Sequence, residues 1–492
     1  MSRYVLGIDQ STQGTKALLF DEEGSLLCRT DLPHKQYIDE RGWVEHDPEE
    51  IYTNIVQVVK NLVEKAGIDK KEIAVLGISN QRETAMVWER TSGKPVYNAV
   101  VWQCARGAAI CEKLEAEGHG EMIRSHTGLQ LSPYFSAAKI AWVLQNVEGA
   151  KEKADKGELC CGTIDSWLVY KLTKGKEFRT DYSNASRTQM FDISRLCWDE
   201  EVCELFQIPT CALAELTDSD GEYGMTDFDG YLEKPIPIRG VLGDSHGALF
   251  GQGCIDRGMI KTTYGTGSSI MMNIGKEPVF SRRVVTSLAW KLNGEVNYVL
   301  EGNINYTGAV ITWLKDDLEL ISSPGETEAL ALAANPNDKT YLVPAFTGLG
   351  APYWDSDATG ILSGVTRTTK RAEVVRAGLD CIAYQITDVI EAMSEESGIE
   401  IGELRVDGGP TRNQYLMQFQ SDMSHVAVQV PSAEELSGIG AAYAAGIAAG
   451  IYEREELFAK MSRTRFEPKM DKEVREEKYA GWKHAVSQVL TH

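Results

Sequence analysis

The sequence predicts an α/β protein built in two halves, and three observations carry that expectation. Short apolar runs alternate with helical patterns and end in polar residues, as strands of an α/β domain do where a ligand binds. A hairpin with a small polar turn opens near residue 10, and a second with a glycine-rich turn opens near residue 265, about half of the chain later. The 492 residues exceed one ordinary core at roughly 100 to 200 residues per domain.

The elements follow in order. Val5–Ile8 and Ala17–Phe20 read as two strands joined by "DQSTQG", with Lys16 leading into the second. In "HDPEEIYTNIVQVVKNLVEK" Asp47 reads as an N-cap, Pro48 as the first helical residue and Glu50 as the third. Ile51, Ile55, Val58, Val59 and Leu62 then mark one apolar face. "IAVLGIS" and "NAVVW" read as strands ending at "NQRET" and Trp102. The second half repeats the device in "MIKTTYGTGSSIMMN", whose turn is Gly265-Thr266-Gly267, and "LRVDGG" leads into a helix "NQYLMQFQSDM". "SGIGAAYAAGIAAG" is a helix of small residues, too short to span a bilayer and suited to close helix packing.

Composition excludes several classes. A formal charge of −22 lacks the clustered Lys and Arg that neutralise phosphates, so neither nucleic acid nor an anionic membrane is expected as partner. No apolar run reaches the roughly 20 residues of a membrane span, and "MSRYVLGIDQ" meets an Asp before a signal core forms, so a cytoplasmic location is expected. The 10 cysteines form no C-x-x-C pair or zinc pattern and read as reduced apolar residues.

Gly243-Asp244-Ser245-His246-Gly247 fits the G-x-S-x-G elbow of serine hydrolases, with Asp407 and His425 downstream as nominal partners. That reading lacks an upstream oxyanion-hole run and explains none of the other patterns. Small Gly/Thr turns can gather backbone N–H groups and hydroxyls around an anion without any G-x-x-x-x-G-K-[ST] sequence, which this chain lacks. Two such hairpins, with the glycine turn at 408–409, could bracket one nucleotide between the halves. Arg82 and Glu83, charged residues directly after an apolar strand, need each other or a ligand. His46 and Asp47 resemble a catalytic pair, but helix capping accounts for Asp47, and no catalytic role is assigned there.

Taken together, "GIDQSTQGTKALLFD", "GWVEHDP", "ISNQRETAMVWE", "VYNAVVWQC", "SPYFSAAKIAW", "TDYSNASRT", "YGTGSS", "PAFTGLGAPYWD" and "VDGGPTRNQYLMQFQSD" resemble the FGGY family of carbohydrate kinases, nearly end to end and in order. The resemblance implies two actin-like, ribonuclease-H-like lobes, residues 1–248 and 249–492, with an ATP cleft between them. It implies ATP-dependent phosphorylation of a terminal hydroxyl of a small polyol, glycerol first, with a longer polyol or ketose such as erythritol, xylitol, xylulose or ribulose as the alternative. Carried over by position, Asp9 would help hold Mg²⁺. Thr12, Gln13, Gly14 and Lys16 would form the first phosphate hairpin, and Thr266 and Gly267 the second. Gly308, Thr312, Gly409 and Gln414 would lie nearer the nucleoside. Arg82, Glu83, Trp102, Tyr134 and Asp244 would form the substrate pocket, with Asp244 the catalytic base. A homo-oligomer, commonly a dimer, is also implied.

Three positions at the pocket depart from family members that act on glycerol. Two glutamines usually follow the base, where this chain has Ser245 and His246, and a phenylalanine usually stands at Ser269. A smaller, wetter wall would lose about 1–3 kcal/mol of apolar contact with a three-carbon substrate and leave room for further hydroxyls. The arginine-bearing glycine loop used for fructose-1,6-bisphosphate inhibition is replaced by "DFDGYLEKPIPI", where Lys234 stands among acidic residues, so that control is expected to be weak or absent.

Overall fold

The computed structural model describes residues 3–491. The first sheet has six strands in the order Met225–Thr226, Ile236–Gly243, Ile73–Asn80, Tyr4–Gln10, Gly14–Phe20 and Leu26–Pro33. Its last three strands are antiparallel neighbours, and Tyr4–Gln10, Ile73–Asn80 and Ile236–Gly243 run parallel. The second sheet repeats the plan. Glu295–Ile304, Ser268–Gly275 and Ile260–Tyr264 are antiparallel, and Ile260–Tyr264, Glu403–Asp407 and Ala427–Pro431 are parallel. Arg463–Phe466 closes one edge and Val285–Leu292 is added at the other. The repeated hairpins therefore mark a repeated sheet topology.

The first hairpin is longer than its apolar residues suggest. Its ladder continues through Asp9↔Lys16 and Gln10↔Thr15, leaving only Ser11–Gln13 as the turn. The polar pairs stay extended because Asp9 and Gln10 also pair in parallel with Ser79 and Asn80, which satisfies their backbone from the other side. Asp47 caps the helix Pro48–Ala66 by accepting from the Glu49 N–H at 2.9 Å. The Glu50 carboxylate does not fold back on the cap; it accepts from the Lys35 N–H instead. "NAVVW" forms only the two-residue strand Ala99–Val100 in a separate five-stranded sheet.

The small-residue helix Leu436–Ala448 packs on the strands of the first sheet and on the helix Asp244–Gly251, although it lies in the last part of the chain. Its glycines permit that approach: a Cβ on Gly440 would stand 1.8 Å from the Gly247 carbonyl oxygen. A hydrophobic cluster made of Val5, Phe20, Leu242, Leu249, Met271, Trp290, Val299 and Ile439 runs through both lobes here. The division expected at residues 248/249 falls within the helix Asp244–Gly251. No described helix is long and apolar enough to cross a membrane.

Candidate active site

The site collects where the parallel strands of both sheets end. Tyr4–Gln10 brings Asp9, Ile73–Asn80 leads into Arg82 and Glu83, and Ile236–Gly243 delivers Asp244 to the first turn of the next helix. Arg82, Glu83 and Thr84 make a three-residue turn in which the Thr84 N–H donates to the Arg82 carbonyl at 2.7 Å. Glu83 sits there at φ 59°, a conformation costly for a residue with a Cβ and typical of sites where the surroundings over-determine the backbone. Ser136 holds the turn from the other side, its hydroxyl donating to the Glu83 carbonyl at 3.0 Å.

These two charged residues meet both each other and further partners. Arg82 donates two parallel bonds to the Glu301 carboxylate, Nη1 at 2.9 Å and Nη2 at 2.8 Å, and its Nε lies 3.2 Å from Asp244 Oδ1. Arg187 donates from Nε to Glu83 at 2.6 Å and stands 3.0 Å from Glu301. Arg82, Glu83, Arg187 and Glu301 are at most 5% exposed. Burial alone would raise the Glu301 carboxyl, but Arg187 and Arg82 override it and hold it well below the usual carboxylate range. Asp244 is half-buried, and its Oδ1 accepts from the Ser245 N–H at 2.6 Å.

Trp102 and Tyr134 stand edge to face, ring centroids 5.5 Å apart. Trp102 Nε1 donates to Thr12 Oγ1 at 2.9 Å, tying the aromatic wall to the first hairpin turn. In that turn Gln13 is exposed, and in the strand that follows Lys16 is paired with Glu435 at 2.5 Å. Glu435, which also pairs with Arg29, was not singled out from the sequence.

The second hairpin is fixed by its carbonyls. Thr266 accepts from the Thr307 and Ala309 N–H groups at 2.9 and 3.0 Å, and Gly265 accepts from Gly308 at 2.9 Å. Gly408 has φ 101°, and a Cβ there would stand 2.0 Å from the Tyr264 carbonyl oxygen, so only glycine lets the two strand ends lie side by side. One groove of about 430 Å³ is lined by Asp9, Lys16, Thr263, Asp407, Gly409 and Glu435. A neighbouring one of about 590 Å³ is lined by Gly308, Thr312, Lys315, Gly409, Asn413 and Leu416. Gly409 and Arg412 line both, so the two form one trough. Gln414 lies beside this lining, where its N–H donates to Glu328 at 2.9 Å.

The inner face of the second sheet supplies the opposite wall. Thr263, Ser269 and Asn303 are direct cross-strand partners in one row, and Lys261, Met271 and Glu301 in the next. Ser269 thus stands between Thr263 of the first groove and the strand that carries Glu301, and its hydroxyl is buried without a hydrogen-bond partner. His246 is wholly buried with neither ring nitrogen partnered, and burial, with Arg82 next, keeps it well below its ordinary pKa. Among the described residues no hydrogen bond joins Ser245 to a histidine. Asp407 accepts from Gln252, and His425 ends the helix Gln414–Ser424, so the elbow has no triad.

Arg187, Glu301, Lys261 and Lys139 escaped the sequence reading. Each is a lone charge inside an otherwise apolar or small-residue stretch, as in "YVLEGNI" and "SAAKIAW", and a buried charge of that kind demands a partner.

Residues 4–251 match the N-terminal domain, and residues 260–449 the C-terminal domain, of the FGGY family of carbohydrate kinases. The chain belongs to that family. It is 52% identical over 491 residues to glycerol kinase 1 of Thermotoga maritima, covering 99% of this chain and 100% of that one. It is 48% identical over 493 residues to the glycerol kinase of Alkaliphilus oremlandii, covering 100% and 98%. Its fold superposes on the crystal structure of Plasmodium falciparum glycerol kinase with ADP at a TM-score of 0.94 and 36% identity, over 100% of this chain and 99% of that one.

Proposed function

We propose that the protein transfers the γ-phosphoryl group of ATP to a terminal hydroxyl of glycerol, giving glycerol 3-phosphate. Relatives that bear the name glycerol kinase match it along essentially their whole length. The observation that carries the mechanism is a half-buried carboxylate, Asp244, held 3.2 Å from Arg82 at a strand end beside a trough lined by the glycine turns. Phosphoryl transfer is chiefly a matter of positioning and charge, and the hydroxyl proton leaves as the new P–O bond forms. Asp244 accepts that proton. Arg82, Glu83, Trp102 and Tyr134 hold the acceptor, with Ser245 and Ser269 on its wall. Thr12, Gln13, Gly14, Lys16, Thr266 and Gly267 face the phosphates, and Gly308, Thr312, Gly409 and Gln414 the nucleoside.

The residues present fit a divalent cation. Asp9 Oδ1 is buried without a hydrogen-bond partner in the groove, and burial raises this carboxyl to about 6, with Lys16 opposing the rise and Asp244 and Glu435 adding to it. Mg²⁺ held there would neutralise charge on the phosphate oxygens.

ADP release with Mg-ATP across glycerol, erythritol, xylitol, ribitol, xylulose and ribulose tests this reading, with Asp244→Asn as control. The expected result is the highest kcat/KM for glycerol and loss of about 10²-fold or more in the variant. A second reading, a four- or five-carbon acceptor, is favoured by the unpartnered Ser269 hydroxyl beside Asn303, and a higher kcat/KM for such a compound would establish it.

A further inference from the structure

Apart from Ser269 on the wall, the acceptor-binding residues assigned above lie in the first half of the chain, and the group that fixes their central arginine does not. Glu301 stands in Glu295–Ile304, a strand of the second sheet, and takes both terminal nitrogens of Arg82. A bidentate carboxylate sets the plane of a guanidinium, because the two parallel N–H···O bonds must be coplanar with it. With the plane set, Nε is held 3.2 Å from Asp244 Oδ1, an ion-pair distance with no hydrogen bond between them. The same carboxylate reaches Arg187, which in turn holds Glu83, so four side chains close a ring that crosses from one lobe to the other. Asn303, two residues along the strand, donates to Glu301 Oε1 at 3.2 Å and steadies it.

The ring has no slack. Glu301 is wholly buried, and two guanidiniums stripped of water need compensating charge that Glu83 alone does not supply. Where Glu301 withdraws, Arg82 keeps only Asp244 and Glu83 as anionic neighbours, and its plane is no longer defined.

We infer that Glu301 is a positioning residue of the acceptor site, contributed by the opposite lobe: it orients Arg82 toward the acceptor and Asp244, so that the acceptor site is complete only while the two lobes are together. The inference rests on the assignment of Arg82 and Asp244 to acceptor binding. It makes acceptor affinity, rather than nucleotide affinity, the quantity that depends on this second-lobe carboxylate.

The test compares wild type, Glu301→Gln and Glu301→Asp. KM and kcat are measured for glycerol at saturating Mg-ATP, KM for Mg-ATP at saturating glycerol, and thermal unfolding alongside. Glutamine keeps the shape and loses the charge; kcat/KM for glycerol is expected to fall about 100-fold while KM for Mg-ATP stays within about threefold. Aspartate keeps the charge and is expected to recover about tenfold of that loss. Acceptor parameters unchanged in Glu301→Gln, or both KM values displaced alike as in a loosened fold, overturn the inference. Should Glu301→Gln fail to fold, Glu301→Asp carries the same split, and an unchanged KM for glycerol in it is decisive against. Absence of turnover by the wild type with every acceptor sinks the kinase reading itself, and shows before any variant is compared.

Discussion

His34 and His46 meet edge to face behind the first hairpin turn, ring centroids 4.5 Å apart, and the backbone N–H of His34 donates to the Gln13 carbonyl at 3.3 Å. Burial, reinforced by His34, pushes His46 down to about 4. A histidine depressed in the folded state contributes stability that is present above its unfolded pKa of about 6.5 and is lost as pH falls toward the folded value. Between pH 6.5 and 4.5 the wild type is therefore expected to lose about 2 kcal/mol through this residue, whereas His46→Phe keeps most of it; urea midpoints at the two pH values decide. At this scale the sequence was legible where a residue obeys a local rule. Asp47 and Pro48 ahead of the apolar face Ile51, Ile55, Val58 and Val59 make a helix start by local rules, and Asp244 lies at a strand end that can be read. Arg187 and Glu301 obey no local rule. They are separated by more than a hundred residues, and their meaning is each other.

Among the elements, the segment Pro133–Phe135 depends most on a single side chain. Lys139, three residues into the helix Ser136–Asn146 and wholly buried, donates to the carbonyls of Pro133, Tyr134 and Phe135 at 2.6, 2.5 and 3.0 Å. Burial lowers its ammonium to about 7, with Glu83 opposing that fall, and three carbonyl acceptors use all three of its protons. Lys139→Met takes that shared donor away from all three carbonyls. The expected loss is about 2 kcal/mol in urea unfolding, and because Tyr134 rides on this segment, KM for the acceptor rises while KM for Mg-ATP holds. Both hairpins were readable from alternating apolar runs around small turns. Their true lengths were not, since Asp9–Lys16 and Gln10–Thr15 stay paired only because a parallel neighbour lies alongside.

At the scale of the molecule, charge bears on control. Lys234 is exposed and has other lysines nearby, but Lys71 is held by Glu233 at 2.9 Å and Lys174 by Asp227 at 2.7 Å, on a chain of net charge −22. Among the described residues a sugar bisphosphate meets no free cationic cluster there, and fructose 1,6-bisphosphate at millimolar concentration is expected to leave the rate unchanged; a clear drop shows a site elsewhere. The duplicated plan was legible from two turns half a chain apart, and the way the halves interlock was not. Leu436–Ala448 belongs by sequence to the second half and by contact to the first sheet. During synthesis, then, the strands Tyr4–Gln10, Ile73–Asn80 and Ile236–Gly243 leave the ribosome with one apolar face uncovered, and it stays so until Leu436–Ala448 has been made. The first lobe waits on a helix from the second family domain, so a gene cut between the two family domains leaves the first piece without that helix.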